Sequence, residues 1–529
     1  MKRLIGALGA TCLLVVSGCA ANPGPPPVVE EPAEETQSST PEETPPPEED
    51  EAPSTERSTV AIGVDPLQGG LNPHLVANNS QLVSDIADLV LPSPFHRGQM
   101  DTDILEAAEE VEAPEGVAQR VRYTIASPAQ WSDGTPLTGA DFTYLWQSMI
   151  STPGTNSPAG YHAISAINTT AGGRVITVDF SERVRDWRLL FQHLLPSHLL
   201  QDDDFPNALS SDIPASAGVF QVDSVDRGRG VITLNRNDRF WGENPALVDV
   251  IELHFIRSTG QAVNMLRSGQ IGFADFIPQQ TSLESLNLLS GVNTAVVSPA
   301  RQLRVHLSTM EGALDDVAAR RGFASLINTE QVSRLASGRA SQLEPAINPI
   351  PEGENLLPLR ERASRKPLKI GVDPTDATAL AAAHVIGDTL NGYGIPTEVV
   401  TDRLTTITDE LLPEGDVDAV ITWENIQLNS FSAASIYLCD EETPLAGDLS
   451  GYCPENHEET LKAILSGELS PRDALSQTRA LNREEALYIP LMDESRVQAL
   501  GKGIVGPGQS MDDWRGGLTT APYWRADED

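Results

Sequence analysis

Between Ala215 and Phe276, short apolar blocks are cut by polar, glycine-containing turns. Val219, Gln221 and Val222, then Val231, Ile232 and Leu234, form two β-rich runs, and Asp226 to Gly230 is the turn between them, which predicts a hairpin. A loop follows from Asn235 to Pro245. Val250 to Ile256 has the length and composition of a strand, and Thr259 to Ser268 carries Ala262, Val263 and Leu266 at helical spacing. Ile271 to Phe276 predicts a further strand.

The same patterning recurs along the chain. Arg122 to Ile125 predicts a strand, Trp131 to Thr138 a turn, and Ala140 to Ile150 a helix capped at Thr138 or nearby. Val175 to Phe180 alternates as a strand, and Trp187 to Leu195 reads as an apolar helix ending at Pro196. Ile62-Gly63-Val64-Asp65-Pro66 recurs as Ile370-Gly371-Val372-Asp373-Pro374, each a β-run stopped by proline, and this echo marks two lobes. The second copy leads into Asp376 to Asn391, where Leu380, His384, Ile386 and Leu390 fall loosely on one helical face. Gly392 and Gly394 end that helix and Thr397 to Val400 restarts a strand, so a βαβ unit is expected. Val417 to Trp423 is a further buried-strand candidate.

With 529 residues, 40% of them hydrophobic and 21% charged, the chain can bury cores for two or three domains. Lys2 and Arg3 precede an apolar run from Leu4 to Val16 that is too short to span a bilayer and is followed by small residues, as in a secretory signal. Val16-Ser17-Gly18-Cys19 resembles a bacterial lipobox, which makes Cys19 the expected lipid anchor. Cys12 would leave with the signal, and the remaining Cys439 and Cys453 are expected to pair in an oxidising compartment. A metal site is the competing reading, but no pair of histidines lies near them. Residues 20–57 hold 10 prolines, 11 acidic residues and one arginine, a composition that forms no core. In polyproline conformation, at ~3.1 Å per residue, such a tether reaches about 120 Å. The formal charge is −39; the leader contributes +2 and the tether −10, which leaves −31 on residues 58–529. A body this acidic argues against nucleic acid and against lying flat on an anionic bilayer.

Catalytic motifs are missing. The sequence has no G-x-S-x-G elbow and no phosphate loop, and Gly501-Lys502-Gly503 reads as a turn. His457-Glu458-Glu459-Thr460-Leu461 begins like a zinc-protease helix without its second histidine. Acid pairs are too abundant for counting to decide on a glycosidase. The expectation is a non-enzymatic protein without cofactor or metal.

Several stretches in order resemble the peptide-type family of extracytoplasmic solute-binding proteins. They are Gly218 with Phe220, then Asn235, Arg236, Asn237, Phe240, Trp241 and Gly242, then Gly269, Gln270, Ile271, Ala274 and Asp275. The run from Trp131 to Phe142 matches the family's W/F-S-D-G-T-P-L-T-A-x-D-Φ motif except at Gly139, and Asp133 within it reads as a turn residue. Asp315 to Phe323 resembles a family helix, with Arg321 on its second arginine and Ala318 in place of the first.

The resemblance implies an α/β, two-lobed periplasmic-binding-protein-like fold (type II, cluster C) with an extra subdomain inserted in the first lobe. The expected division is signal and lipobox 1–19, tether 20–57, lobe I 58–90, 215–310 and 490–529, inserted subdomain 91–214, and lobe II 311–489. Strands at Leu487 to Val505, including Ile489-Pro490-Leu491, are expected to close the first lobe, with hinge crossings near 310 and 490. Peptide binders of the family hold the peptide's amino terminus with an aspartate in a W-x-A-D-Y motif. The corresponding stretch here is Thr422-Trp423-Glu424-Asn425-Ile426-Gln427, so isoleucine stands at the aspartate position. A buried ammonium there would lack its counter-charge. The cleft candidates are Asn72, Asn79, Trp423, Glu424 and Asn425, with Asn72-Pro73 alternatively a simple turn.

Asp88 to Phe95, Tyr144-Leu145-Trp146, Pro158 to Tyr161 and Leu449 to Cys453 carry a further likeness, to a mycobacterial and corynebacterial lipoprotein branch of the family. That branch is linked to control of phosphatidylinositol mannoside and lipoarabinomannan synthesis through membrane mannosyltransferases. It implies a mannolipid ligand and a mannosyltransferase partner. The alternative is the peptide-binding subunit of an ABC importer, with a peptide or other small-molecule ligand and a permease partner. Both readings place the protein on the extracytoplasmic face of the membrane.

Overall fold

Each lobe is built on its own sheet. The computed structural model describes residues 57–439, 445, 447–508 and 510–527. Cys12, Cys19 and the tether up to Glu56 lie outside the described residues. The first sheet has seven strands, in the order Asn293–Val297, Arg496–Leu500, Phe273–Phe276, Thr59–Val64, Val250–Phe255, Val231–Arg236 and Phe220–Asp226. Thr59–Val64 lies parallel to both its neighbours, with Ile62 opposite Leu253 and Phe273. The expected hairpin is its far edge. It is locked in place by Gly218, where an added Cβ would fall 2.2 Å from the Leu89 carbonyl oxygen.

The second sheet has six strands, in the order Glu344–Pro345, Tyr488–Asp493, Arg301–Leu307, Ala419–Asn425, Leu368–Val372 and Thr397–Thr401. Leu368–Val372, the helix Ala377–Gly392 and Thr397–Thr401 form the βαβ unit, with parallel pairing of Ile370 to Val399. One face of this sheet is apolar. Leu303, Val305, Leu307, Ile421, Ile489 and Leu491 are buried with Phe323 and Ile386, and each such side chain contributes roughly 1.5–3 kcal/mol on burial.

A third, antiparallel sheet of Leu105–Val111, Gln119–Ile125, Val175–Phe180 and Ile164–Thr170 lies within the span 91–214. Beside it the helix Gly139–Ser151 starts from a capping box, in which Thr138 and Asp141 satisfy each other's amides. Asp133 serves the turn before it, accepting from the Thr135 amide at 2.8 Å and lying 2.7 Å from His198 Nε2.

Two expectations are corrected. The crossings fall at 298–300 and 494–495, because Arg301–Leu307 and Tyr488–Asp493 pair with each other in the second sheet. Residues 301–310 and 490–493 therefore leave lobe I. Ile489-Pro490-Leu491 closes the second lobe because its two apolar side chains complete that lobe's core. The second correction is Trp187 to Leu195, which holds only a short 3-10 turn, Trp187–Leu189. Beyond it Phe191 and His193 take positive φ, 61° and 50°. Their amides go instead to Tyr161 Oη and Ser93 Oγ, both at 2.9 Å, while Leu190, Phe191, Leu194 and Leu195 are all fully buried. A stretch apolar on every side suited an irregular buried segment as well as a helix, and side-chain acceptors decided between them.

Candidate ligand-binding cleft

The polar face of the second sheet looks into the space between the lobes. In Arg301–Leu307 the apolar residues occupy every second position, so Gln302, Arg304 and His306 share the opposite face. Gln302 lies opposite Glu424 and His306 opposite Tyr488. Arg304 sits diagonally to Glu424, within reach of a long side chain. Its Nη1 donates to Glu424 Oε2 at 2.5 Å, its Nε donates to Gln302 Oε1 at 2.8 Å, and its guanidinium lies 4.4 Å from the centre of the Tyr488 ring.

His306 is buried between two acids. Its Nε2 is 3.0 Å from Glu424 Oε1 and its Nδ1 3.8 Å from Asp448 Oδ1. Neither ring nitrogen makes an aligned hydrogen bond. Burial alone would raise the Glu424 carboxyl, but His306 and Arg304 overcome it and hold that carboxyl at about 2. Asp448 goes the other way: burial pushes it up, against His306 and the hydrogen bond from Ser450 Oγ.

These residues form the base of a cavity of about 670 Å³. Val76 and Gly154 to Ser157 face it from the first lobe and its inserted subdomain. Asn425, Ile426 and residues of the helices Ser430–Ser435 and Pro471–Glu485 enclose it from the second lobe. Cys439 and Cys453 are joined by a disulfide, and the span between them supplies Asp448 and Leu449 to the cavity wall. His457 Nδ1 lies 3.6 Å from Cys453 Sγ, but with the sulfurs bonded to each other no thiolate is free to hold a metal there.

Of the sequence candidates, Glu424 and Asn425 line the cavity. Asn72 does not: it is fully buried, its Nδ2 donating to the Phe205 carbonyl and its Oδ1 accepting from the His74 amide, both at 3.1 Å. It is a structural residue, since its side chain ties the turn at His74 to the Phe205 backbone 133 positions away. Asn79 and Trp423 also lie outside the lining. Asn79 Nδ2 donates to the Trp423 carbonyl at 3.3 Å, and the Asn79 carbonyl accepts from Arg301, so the pair staples one lobe to the other. Arg304, His306, Asp448, Tyr488, Arg479 and Arg483 were missed. The alternation R-Q-L-R-V-H-L at 301–307 was the available signal, charged side chains in register on one face of a strand-length run.

Behind the cleft the chain crossings carry a second buried cluster. Arg496 reaches Asp65 at 2.8 Å, Asp275 at 2.6 Å and Glu494 at 2.8 Å, and Arg301 pairs with Glu494. Burial works against the Glu494 charge, but the two arginines hold its carboxyl below the usual range.

Two sheets joined by two crossings, with a cavity opening between them, define a two-lobed binding protein. The chain belongs to the bacterial extracellular solute-binding proteins, family 5, whose middle region matches residues 106–419. It is similar to the Mycobacterium tuberculosis protein named "Probable monoacyl phosphatidylinositol tetramannoside-binding protein LpqW", with 28% identity over 396 residues. That match covers 72% of this chain and 57% of the relative, so the chain spans little more than half of the relative's length. Among solved structures it shares its fold with the oligopeptide-binding protein AppA of Bacillus subtilis in complex with a nonapeptide (13% identity, TM-score 0.66, 89% of this chain and 100% of that one). It also shares it with AgaA in complex with agropinic acid from A. tumefaciens R10 (14% identity, TM-score 0.67, 89% and 99%). One scaffold thus holds chemically unlike ligands, and the cleft residues decide which.

Proposed function

We propose that this protein is a lipid-anchored, non-enzymatic binding protein on the extracytoplasmic face of the membrane. It closes on a mannolipid, the class of ligand named for the relative LpqW, and acts in the regulation of phosphatidylinositol mannoside and lipoarabinomannan synthesis, with a membrane mannosyltransferase as partner. The observation that carries this reading is the state of the cleft carboxylates. Glu424 is paired with Arg304 and has His306 Nε2 beside it, Asp448 is engaged by Ser450, and Asp493 Oδ1 accepts from Gln302 Nε2 at 2.7 Å. Ile426 occupies the position from which a peptide's ammonium would be held, so an incoming ammonium finds no acid at that position.

The cavity mouth supports the same reading. Ile347 is 88% exposed and Leu428 43% exposed, and both line the cavity. An aliphatic chain leaving the cleft would cover them, at ~25 cal/mol per Å² of apolar surface buried.

Thermal unfolding of the mature chain with monoacylated mannolipid, and separately with a broad peptide library, tests this. A ligand at a hundredfold excess over Kd stabilises by about 2.7 kcal/mol. Stabilisation by mannolipid alone is expected. Stabilisation by peptides alone would establish the alternative, the peptide-binding subunit of an ABC importer with a permease partner.

A further inference from the structure

The cleft is richer in cations than the body around it. Residues 58–529 carry −31, yet Arg304, Arg479 and Arg483 all line the one cavity. Of the acids that share the lining, Glu424 is paired with Arg304, while Asp448 and Asp493 accept from the neutral Ser450 and Gln302 side chains. Arg479 and Arg483 have no acidic partner among the described residues. They stand four positions apart on the helix Pro471–Glu485, where like charges on one face oppose each other. Arg304 spends Nε and Nη1 on the protein, and its Nη2 makes no hydrogen bond among the described residues. On the same helix Thr478 also lines the cavity, and its hydroxyl is buried without a hydrogen-bond partner among the described residues. Arg479 and Arg483 are themselves exposed, so their guanidinium groups stand at the solvent side of the cavity and place positive charge at its entrance on an otherwise acidic protein.

We propose that Arg479 and Arg483, with the adjacent Thr478 and with Arg304 at the base, form an anion subsite that takes the phosphate of a phosphomonoester or phosphodiester ligand. Guanidinium groups match phosphate oxygens in geometry as well as charge. This deepens the mannolipid reading by assigning the ligand's phosphodiester to the helix Pro471–Glu485, and it leaves its sugars to the polar base around Glu424, His306 and Asp448. It also gives the helix a ligand-dependent role, because the bound anion would relieve the repulsion between the two arginines.

The test is binding to the mature chain of three probes: a monoacyl phosphatidylinositol, a neutral alkyl mannoside of equal chain length, and inositol phosphate. Each is run on wild type, Arg479→Gln, Arg483→Gln and the control Arg472→Gln, an exposed arginine of the same helix that does not line the cavity. The phospholipid is expected to bind at least tenfold more tightly than the mannoside. Each of the two cleft substitutions should weaken it about tenfold, a charge-assisted hydrogen bond's worth, while Arg472→Gln and all melting temperatures stay unchanged. Equal affinity for phospholipid and mannoside, or cleft variants that bind like Arg472→Gln, would overturn the subsite. Inositol phosphate binding as tightly as the phospholipid, and lost in both cleft variants, would keep the anion subsite and reject the lipid reading.

Discussion

Two buried charge clusters, one at the chain crossings and one in the cleft, differ in what their unused polar atoms face. At the crossings, Arg496 spends its guanidinium on three carboxylates and the Asp275 carbonyl, and Gln498 Nε2 caps the second oxygen of Asp275 at 2.8 Å. In the cleft, His306 lacks an aligned partner on either nitrogen and Arg304 keeps one amino group unused. Both clusters are desolvated, so burial does not separate them. What separates them is where the leftover hydrogen-bonding capacity lies: at the joint the unpartnered atoms, Arg301 Nε and Gln498 Oε1, belong to residues outside the cavity lining, whereas in the cleft Arg304 and His306 line a cavity that can admit something that is not protein.

The sharpest way to break this contrast is Arg496→Met. It leaves Asp65 and Asp275 buried without their counter-charge and Glu494 with Arg301 alone, and should cost about 3–5 kcal/mol in denaturant unfolding. A cost near zero would show that the joint does not depend on the cluster. Replacing Cys439 and Cys453 together by serine reopens a loop whose ends are 14 positions apart. A loss of ~3 kcal/mol is expected, together with weaker ligand binding, since Asp448 lies within that loop; unchanged affinity would detach the disulfide from the cleft. Glu424→Gln should cost less than Arg496→Met, about 1–3 kcal/mol, because Arg304 still has Gln302 and the Tyr488 ring. An equal loss in both variants would make the cleft cluster a structural one as well.

The smallest effect near neutrality concerns His74. Burial, then His193, lowers its pKa from 6.5 to about 3. The unfolded chain therefore takes up a proton below pH 6.5 that the folded chain refuses until about pH 3, and stability falls as pH drops through that window. The slope contributed is at most ~1.4 kcal/mol per pH unit. His74→Gln should flatten the pH dependence of the melting temperature between pH 6.5 and 3, and an unchanged slope would remove His74 from the account.

Most of the scaffold was legible because its signals are local. The hairpin at 220–236 showed in β-branched runs around a glycine turn, and the helix after Thr138 showed in its capping residues. The βαβ unit from Leu368 showed in a proline-stopped strand followed by helical spacing. The cleft was legible only at Glu424 and Asn425, which adjoin a motif tryptophan. Asn72 failed as a candidate because its amide is consumed by neighbouring backbone, and an asparagine before proline looks the same whether it faces a ligand or a turn. Arg479 and Arg483 read as an exposed helix face like many others, and only the packing of that helix over the second sheet puts them on a cavity.

By itself the sequence determined the elements, the family and the absence of an aspartate at position 426, since periodicity, capping and motif spacing are properties of neighbouring residues. Tertiary structure decided where the chain crosses between lobes and that Trp187 to Leu195 is not a helix. It also decided which charges are spent and which remain available, because the partner of a buried charge sits, like Glu424 for Arg304 or Asp65 for Arg496, more than a hundred residues away.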